Sequence, residues 1–152
     1  MNAADERARV AAIARSWIGT PFHHNARIKG VGVDCAQLLA AVFAEAALED
    51  ATLPEYSADW FLHEDRERYL DEMDRYTVPV AEGATLELGD MPMFRYGRSV
   101  SHAGIIVEAS ETTYPIMVHS FRGIGVTLDE LTPTGAMTSR LAGVRRLIRW
   151  AA

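Results

Sequence analysis

The sequence holds one thiol, Cys35, and five imidazoles, His23, His24, His63, His102 and His119. A cysteine nucleophile needs a base for its proton, and histidine is the side chain best suited to that task near neutrality. The base needs an acceptor of its own to hold one tautomer and orientation. Asp34 stands immediately before Cys35, where an N-cap acceptor would sit, and an apolar helical stripe opens at Leu38. Cys35 is therefore expected in a first helical turn, where free N–H groups and the helix dipole lower a thiol's pKa. Those N–H groups could also receive the oxyanion of a tetrahedral intermediate. A lone cysteine is otherwise a small buried hydrophobe, but a position after a glycine-rich loop and before an apolar stripe favours the nucleophile.

Two histidines fall at strand ends. His102 opens the stretch Ser101–Val107, and His119 closes the stretch Ile116–His119. A hairpin with 102 opposite 119 sets 107 opposite 114, leaves 108–113 as the loop and projects both rings from one face. A slip of one residue would separate them. That register permits a Cys35–His102–His119 triad. His63, inside the charged run HEDRER, reads as a solvated helix residue, whereas His23 and His24 are candidates for lining the site. Zinc is the competing use, since Cys35, His102 and His119 could supply three ligands. There is no short ligand pair and no obvious fourth ligand, so neither a metal nor another cofactor is expected.

The elements that must position these residues follow from periodicity. Val10, Ile13, Ala14 and Trp17 mark one face of a helix over 5–17, ended by Gly19 and Pro21. Residues 19–34 read as a long loop, and a second helix spans 35–48 on Leu38, Leu39, Val42, Phe43 and Ala46. Residues 61–75 have helical composition, with Tyr69, Leu70 and Met73 in a partial stripe. Short β-prone segments follow at 91–96, 103–107, 116–120, 126–128 and 144–150, the last without clean alternation because of Arg145, Arg146 and Arg149. Helices first and strands afterwards indicate an α+β domain with an antiparallel sheet.

Composition narrows the function classes. The 152 residues are 49% hydrophobic and 24% charged, enough for one packed domain over 1–152. A net charge of −6, from 15 basic and 21 acidic residues, argues against a nucleic-acid partner. No apolar run approaches the roughly 18 residues of a membrane span, so no membrane insertion is expected. The first residues lack the pattern of a secretion signal, which predicts synthesis in the cytoplasm.

Taken together, Trp17-Ile18-Gly19-Thr20-Pro21-Phe22-His23-His24, Gly30-Val31-Gly32-Val33-Asp34-Cys35, Gly89-Asp90, Ser101-His102-Ala103-Gly104-Ile105 and Val118-His119-Ser120 resemble the NlpC-type cell-wall cysteine peptidases. They are most similar to the branch carried by phages, prophages and gene-transfer agents, over residues 8 to 150. The resemblance implies a papain-like NlpC-type fold, with the nucleophile at a helix N-terminus packed on a C-terminal antiparallel sheet. It implies a hydrolase, a thiol protease that cleaves amide bonds in peptidoglycan stem peptides and acts at the cell wall, with phage-tail proteins as further partners. Cys35 falls on the nucleophile, His102 on the general base and His119 on the residue orienting it. His24 falls where relatives carry an aromatic that binds substrate or helps the oxyanion. His23, Asp34, Ala36 and Ser101 complete the expected substrate and oxyanion set. Two departures stand out: Ala36-Gln37 replaces the usual Ser-Gly after the cysteine, and Phe22 replaces a tyrosine. Residues 50–85 are poorly constrained by the pattern and are expected to form a wall of the groove. The competing readings are a thioester-forming amidase or acyltransferase on another substrate, and a non-catalytic tail-assembly module on the same fold.

Overall fold

The structure is a computed structural model describing residues 1–57, 62 and 67–151. His63, and with it much of the expected helix over 61–75, lies outside the described residues.

Helix α1 (Ala3–Ser16) starts where Asn2 accepts from the Asp5 N–H, and it buries Val10, Ala11 and Ala14. Gly19, in the left-handed region, turns the chain out of it. The stretch expected as plain loop contains a small antiparallel pair, β1 (Arg27–Ile28) and β2 (Gly32–Val33). Helix α2 (Cys35–Glu45) is capped by Asp34, whose Oδ1 accepts from the Gln37 N–H at 2.9 Å. It ends three residues before the expected 48, because Ala47 takes φ 58°, which no helix continues. Helix α3 (Arg68–Met73) follows. No described helix is long and apolar enough to cross a membrane.

The strands are antiparallel and form two larger sheets. One runs β3 (Thr77–Pro79), β9 (Leu141–Leu147), β4 (Met91–Tyr96), β5 (Ser99–Ala103); the other runs β6 (Ile105–Glu108), β7 (Ile116–Phe121), β8 (Gly125–Glu130). Together with the helices they make an α+β fold. α1 packs on β6, and α2 packs on β5 and β7. Val10, Ala14, Leu38, Val42, Met91 and Ile105 fill the core between the layers.

The expected single strand over 103–107 is broken at Gly104, which lies between β5 and β6. A Cβ there would sit 2.6 Å from Met117 Sδ and 3.0 Å from the Val118 carbonyl oxygen, so any side chain at the crossing must displace its neighbours. The expected register is also displaced by two residues. Ile105 faces Val118 and Ile106 faces Met117, while His102 pairs with Phe94 on β4. The histidines meet all the same, His102 reaching His119 from the neighbouring sheet across the break at Gly104 rather than along a shared hairpin.

The last strand covers 141–147 instead of 144–150, and a 3-10 turn, Ile148–Trp150, follows it. Its arginines follow ion pairs rather than alternation. Arg145 pairs with Asp74, Arg149 with Glu6, and Arg146 donates twice to the fully buried Asp90 at 2.8 and 2.7 Å. Arg7 and the Glu87 N–H complete the shell around Asp90.

Candidate active site

Cys35 is the first residue of α2, half-buried, with its side chain in a cavity of about 760 Å³. His102 on β5 lines the same cavity. The Cys35 thiol donates to the Ser101 carbonyl oxygen at 3.6 Å, so its proton rests on the backbone next to His102. His102 Nε2 lies 2.8 Å from His119 Nδ1, and His119 Nε2 lies 3.2 Å from Asp129 Oδ2.

The direction of those two bonds can be deduced from the end of the chain. An ionised carboxylate only accepts, so His119 Nε2 carries the proton given to Asp129. Neutral His119 then has a bare Nδ1, which accepts from His102 Nε2–H. His102 is left with its lone pair on Nδ1, the nitrogen available to the cavity. Phe94, Tyr96 and Phe121 surround the His102 ring at centroid distances of 5.9, 6.1 and 5.4 Å. Their apolar surface keeps it neutral: burial, and then the neighbouring His119, lower the His102 pKa from 6.5 to about 3. Burial also lowers that of His119, against the opposing pull of Asp129.

The thiol departs from expectation in the same sense. Burial, and then the Asp34 charge, push Cys35 up to about 12, outweighing the groups that favour a charged sulfur, Tyr69, Ala103 and the helix-end Ala36. A helix N-terminus favours a thiolate only by partial charges, whereas here a full carboxylate, itself buried, stands next door. The resting pair is thus thiol and neutral imidazole rather than thiolate and imidazolium.

Asp34 organises the rim. Its carboxylate accepts from the Gln37 and Asn25 backbone N–H groups and from the Tyr56 hydroxyl at 2.5 Å. Tyr56 also meets His24 edge-on, with centroids 5.2 Å apart. His24 lines the cavity; Asn25 Nδ2 donates to its Nε2 at 3.1 Å, which places the ring proton on Nδ1, toward Asp34. His23 does not join the site: it is exposed, and its Cβ packs by Gly32. Ala36 and Ser101 both border the cavity, Ser101 contributing its carbonyl while its hydroxyl bonds to the Tyr96 carbonyl.

The departure at Gln37 has a structural role. Its Oε1 accepts from Arg27 Nε at 2.7 Å, and Arg27 also donates to the Ala51 carbonyl. The segment bearing Tyr56 is anchored by this relay, and with α3 it walls the cavity through Ala51, Leu53, Tyr56, Tyr69 and Met73. Sequence reasoning missed Asp129, Tyr56 and Tyr69. The first was accessible: once 119 faces 127 in the β7–β8 hairpin, Asp129 is its diagonal neighbour on the same face. Nothing in the sequence distinguishes Tyr69 from an ordinary residue of a helical stripe. Among the described residues, no cluster of three His, Cys, Asp or Glu side chains is arranged to hold a metal.

No protein-family model matches the chain, and no curated protein does. Solved structures do. A Staphylococcus aureus protein of the NLP/P60 family, similar to a lipoprotein, superposes with a TM-score of 0.64 at 20% identity, over 97% of this chain and 43% of its own. NlpC2 from Trichomonas vaginalis gives 0.66 at 14% identity, over 96% of this chain and 48% of its own. The NlpC/p60 domain of the peptidoglycan hydrolase SagA gives 0.51 at 18% identity, over 82% of this chain and 89% of its own. The chain spans less than half of the first two, and it shares with all three the papain-like α+β NlpC fold.

Proposed function

We propose that this chain is a cysteine peptidase that hydrolyses amide bonds in peptidoglycan stem peptides through Cys35, His102 and His119. The reading is carried by the Asp129–His119–His102 relay, which leaves one unprotonated nitrogen at the cavity that holds a helix-end thiol. The fold shared with a peptidoglycan hydrolase domain and the cell-wall peptidase motifs of the sequence supply the substrate class. The motifs resembling the phage and gene-transfer-agent branch support delivery to the wall in a tail-like particle.

Because both partners rest neutral, attack and proton transfer are coupled. Cys35 Sγ forms a bond to the amide carbon while its proton passes to His102 Nδ1. The oxyanion that develops is met by backbone N–H groups at the start of α2. Protonated His102 gives that proton to the departing nitrogen, the C–N bond breaks, and a thioester remains. A water molecule then adds to the thioester with its proton taken by His102. Collapse releases the acid and restores the thiol. His119 and Asp129 stabilise the transient imidazolium and hold its orientation.

The test is incubation with purified sacculi, with released muropeptides mapped by mass spectrometry. Wild type is expected to release cut stem peptides, and Cys35→Ala and His102→Ala none. Equal release by Cys35→Ala would overturn the assignment. One observation favours a second reading, a thioester-forming amidase or acyltransferase: beside Cys35 the cavity is lined by Leu39, Phe43, Met73, Met91 and Leu147. Turnover of a medium-chain acyl ester with no release from sacculi would select that reading.

A further inference from the structure

The Tyr69 hydroxyl is the unusual group in this site. It is sealed from solvent and has no hydrogen-bond partner among the described residues. It lines the same cavity as Cys35, where it favours a charged sulfur. A buried hydroxyl left unsatisfied costs free energy, so native structures rarely keep one without a use. The other tyrosine at the rim, Tyr56, is by contrast fully engaged by Asp34.

The reason for the missing bond lies in the state of the sulfur. As a thiol, Cys35 spends its proton on the Ser101 carbonyl and is a weak acceptor. As its proton leaves, the sulfur becomes an anion and a strong acceptor. A donor idle in the ground state and satisfied in the charged state stabilises the second relative to the first, which is the requirement for catalysis. We propose that Tyr69 is a catalytic residue, its hydroxyl donating a hydrogen bond to Cys35 Sγ as the thiol proton is lost.

The surroundings hold the phenol in register for this. Glu67, just before α3, accepts from the Val100 N–H at 2.9 Å and from Arg95 at 2.7 Å. These bonds pin the start of α3 to β4 and β5, the second of which carries Ser101 and His102. Tyr69, the carbonyl that parks the thiol proton and the base therefore belong to one frame. The need is evident as well, since burial and Asp34 both oppose a charged sulfur, and Tyr69 is the first of the groups that favour it.

The proposal rests on the reading of Cys35 as a nucleophile, and its test uses no cell-wall substrate. Alkylation of the intact protein by iodoacetamide is followed by mass spectrometry from neutral to about pH 10, for wild type and Tyr69→Phe. Asp34, Tyr56 and His102 line the cavity with the sulfur in both proteins, so their difference isolates the hydroxyl. The variant is expected to react about 10- to 100-fold more slowly at each pH, the worth of a hydrogen bond to a charged group. Its melting temperature should be equal or higher, because an orphan polar atom is gone. Superimposed rate profiles overturn the proposal. If Tyr69→Phe fails to fold, Tyr69→Met must show the same displacement, and its absence overturns the proposal equally. A wild-type thiol that is inert when folded and reactive when denatured instead removes the nucleophile itself, and this inference with it.

Discussion

At the residue scale the site is a relay whose last member sets the first. Asp129 is about half exposed, so its bond to His119 is partly screened by water, yet it decides which nitrogen of each imidazole is bare. Asp129→Ala is expected to lower kcat/KM on purified muropeptides about tenfold, the lower end for a hydrogen bond to a charged group. Unchanged kinetics would mean that packing alone orients His119. Burial of His102 sets a second expectation. With its pKa pushed down to about 3, the proposed activity should show no inflexion in kcat/KM near 6.5, the ordinary value. A clear inflexion there would place His102 in contact with solvent. The residue types and their spacing made Cys35, His102 and His119 legible in the sequence. The state of the thiol was not, because helix position is local whereas burial beside Asp34 belongs to the assembled site.

At the element scale, the crossing at Gly104 connects the two larger sheets at the site. β5 delivers His102 and β7 delivers His119, and between β5 and β6 the chain passes within 3.3 Å, measured from a notional Gly104 Cβ, of the His119 Cβ. Gly104→Ala is expected to cost about 1–3 kcal/mol by overpacking, with a lower urea midpoint and an unchanged m-value. It should also reduce turnover by more than the stability loss explains, since His119 must move. A midpoint equal to wild type would show that Met117 yields without strain. The strand segments were legible from turn residues and apolar runs; the break at 104 was not. A sequence of alternating small and apolar residues has no local mark for a change of sheet, and the reason for glycine lies across the fold at Met117 and Val118.

At the scale of the whole molecule, buried polar contacts tie the first helix to the last strand and the turn after it. Asp90 ties Arg7 of α1 to Arg146 of β9, while Glu6 receives Trp150 Nε1 and Arg149. Asp90→Ala leaves the buried Arg7 and the half-buried Arg146 without their shared carboxylate, an expected loss of about 3 kcal/mol, the lower end for a broken buried pair, read from denaturant unfolding. A small loss would mean that Glu87 takes over both arginines. Acid should weaken the fold through His102. Its folded pKa lies below the unfolded value, so the unfolded chain binds the extra proton. Stability from this group is therefore complete above pH 6.5 and is lost as pH falls toward 3. His119 acts in the same direction. Melting temperatures measured across that window check the sign; a rise on acidification would contradict it.

Periodicity, capping and turn residues are local properties, and they settled the helix that begins at Cys35, the order of helices before strands, and the candidate imidazoles. They also marked Asp34 as the cap, because an N-cap bond spans only three residues. What the chain alone could not decide were distances across the fold. The partnership of His119 with Asp129, the wall carrying Tyr56 and Tyr69, the exclusion of His23, and the protonation of Cys35 all arose from tertiary packing. Packing brings distant residues together and removes water from between them, and the charge carried by each group of a site depends on that removal.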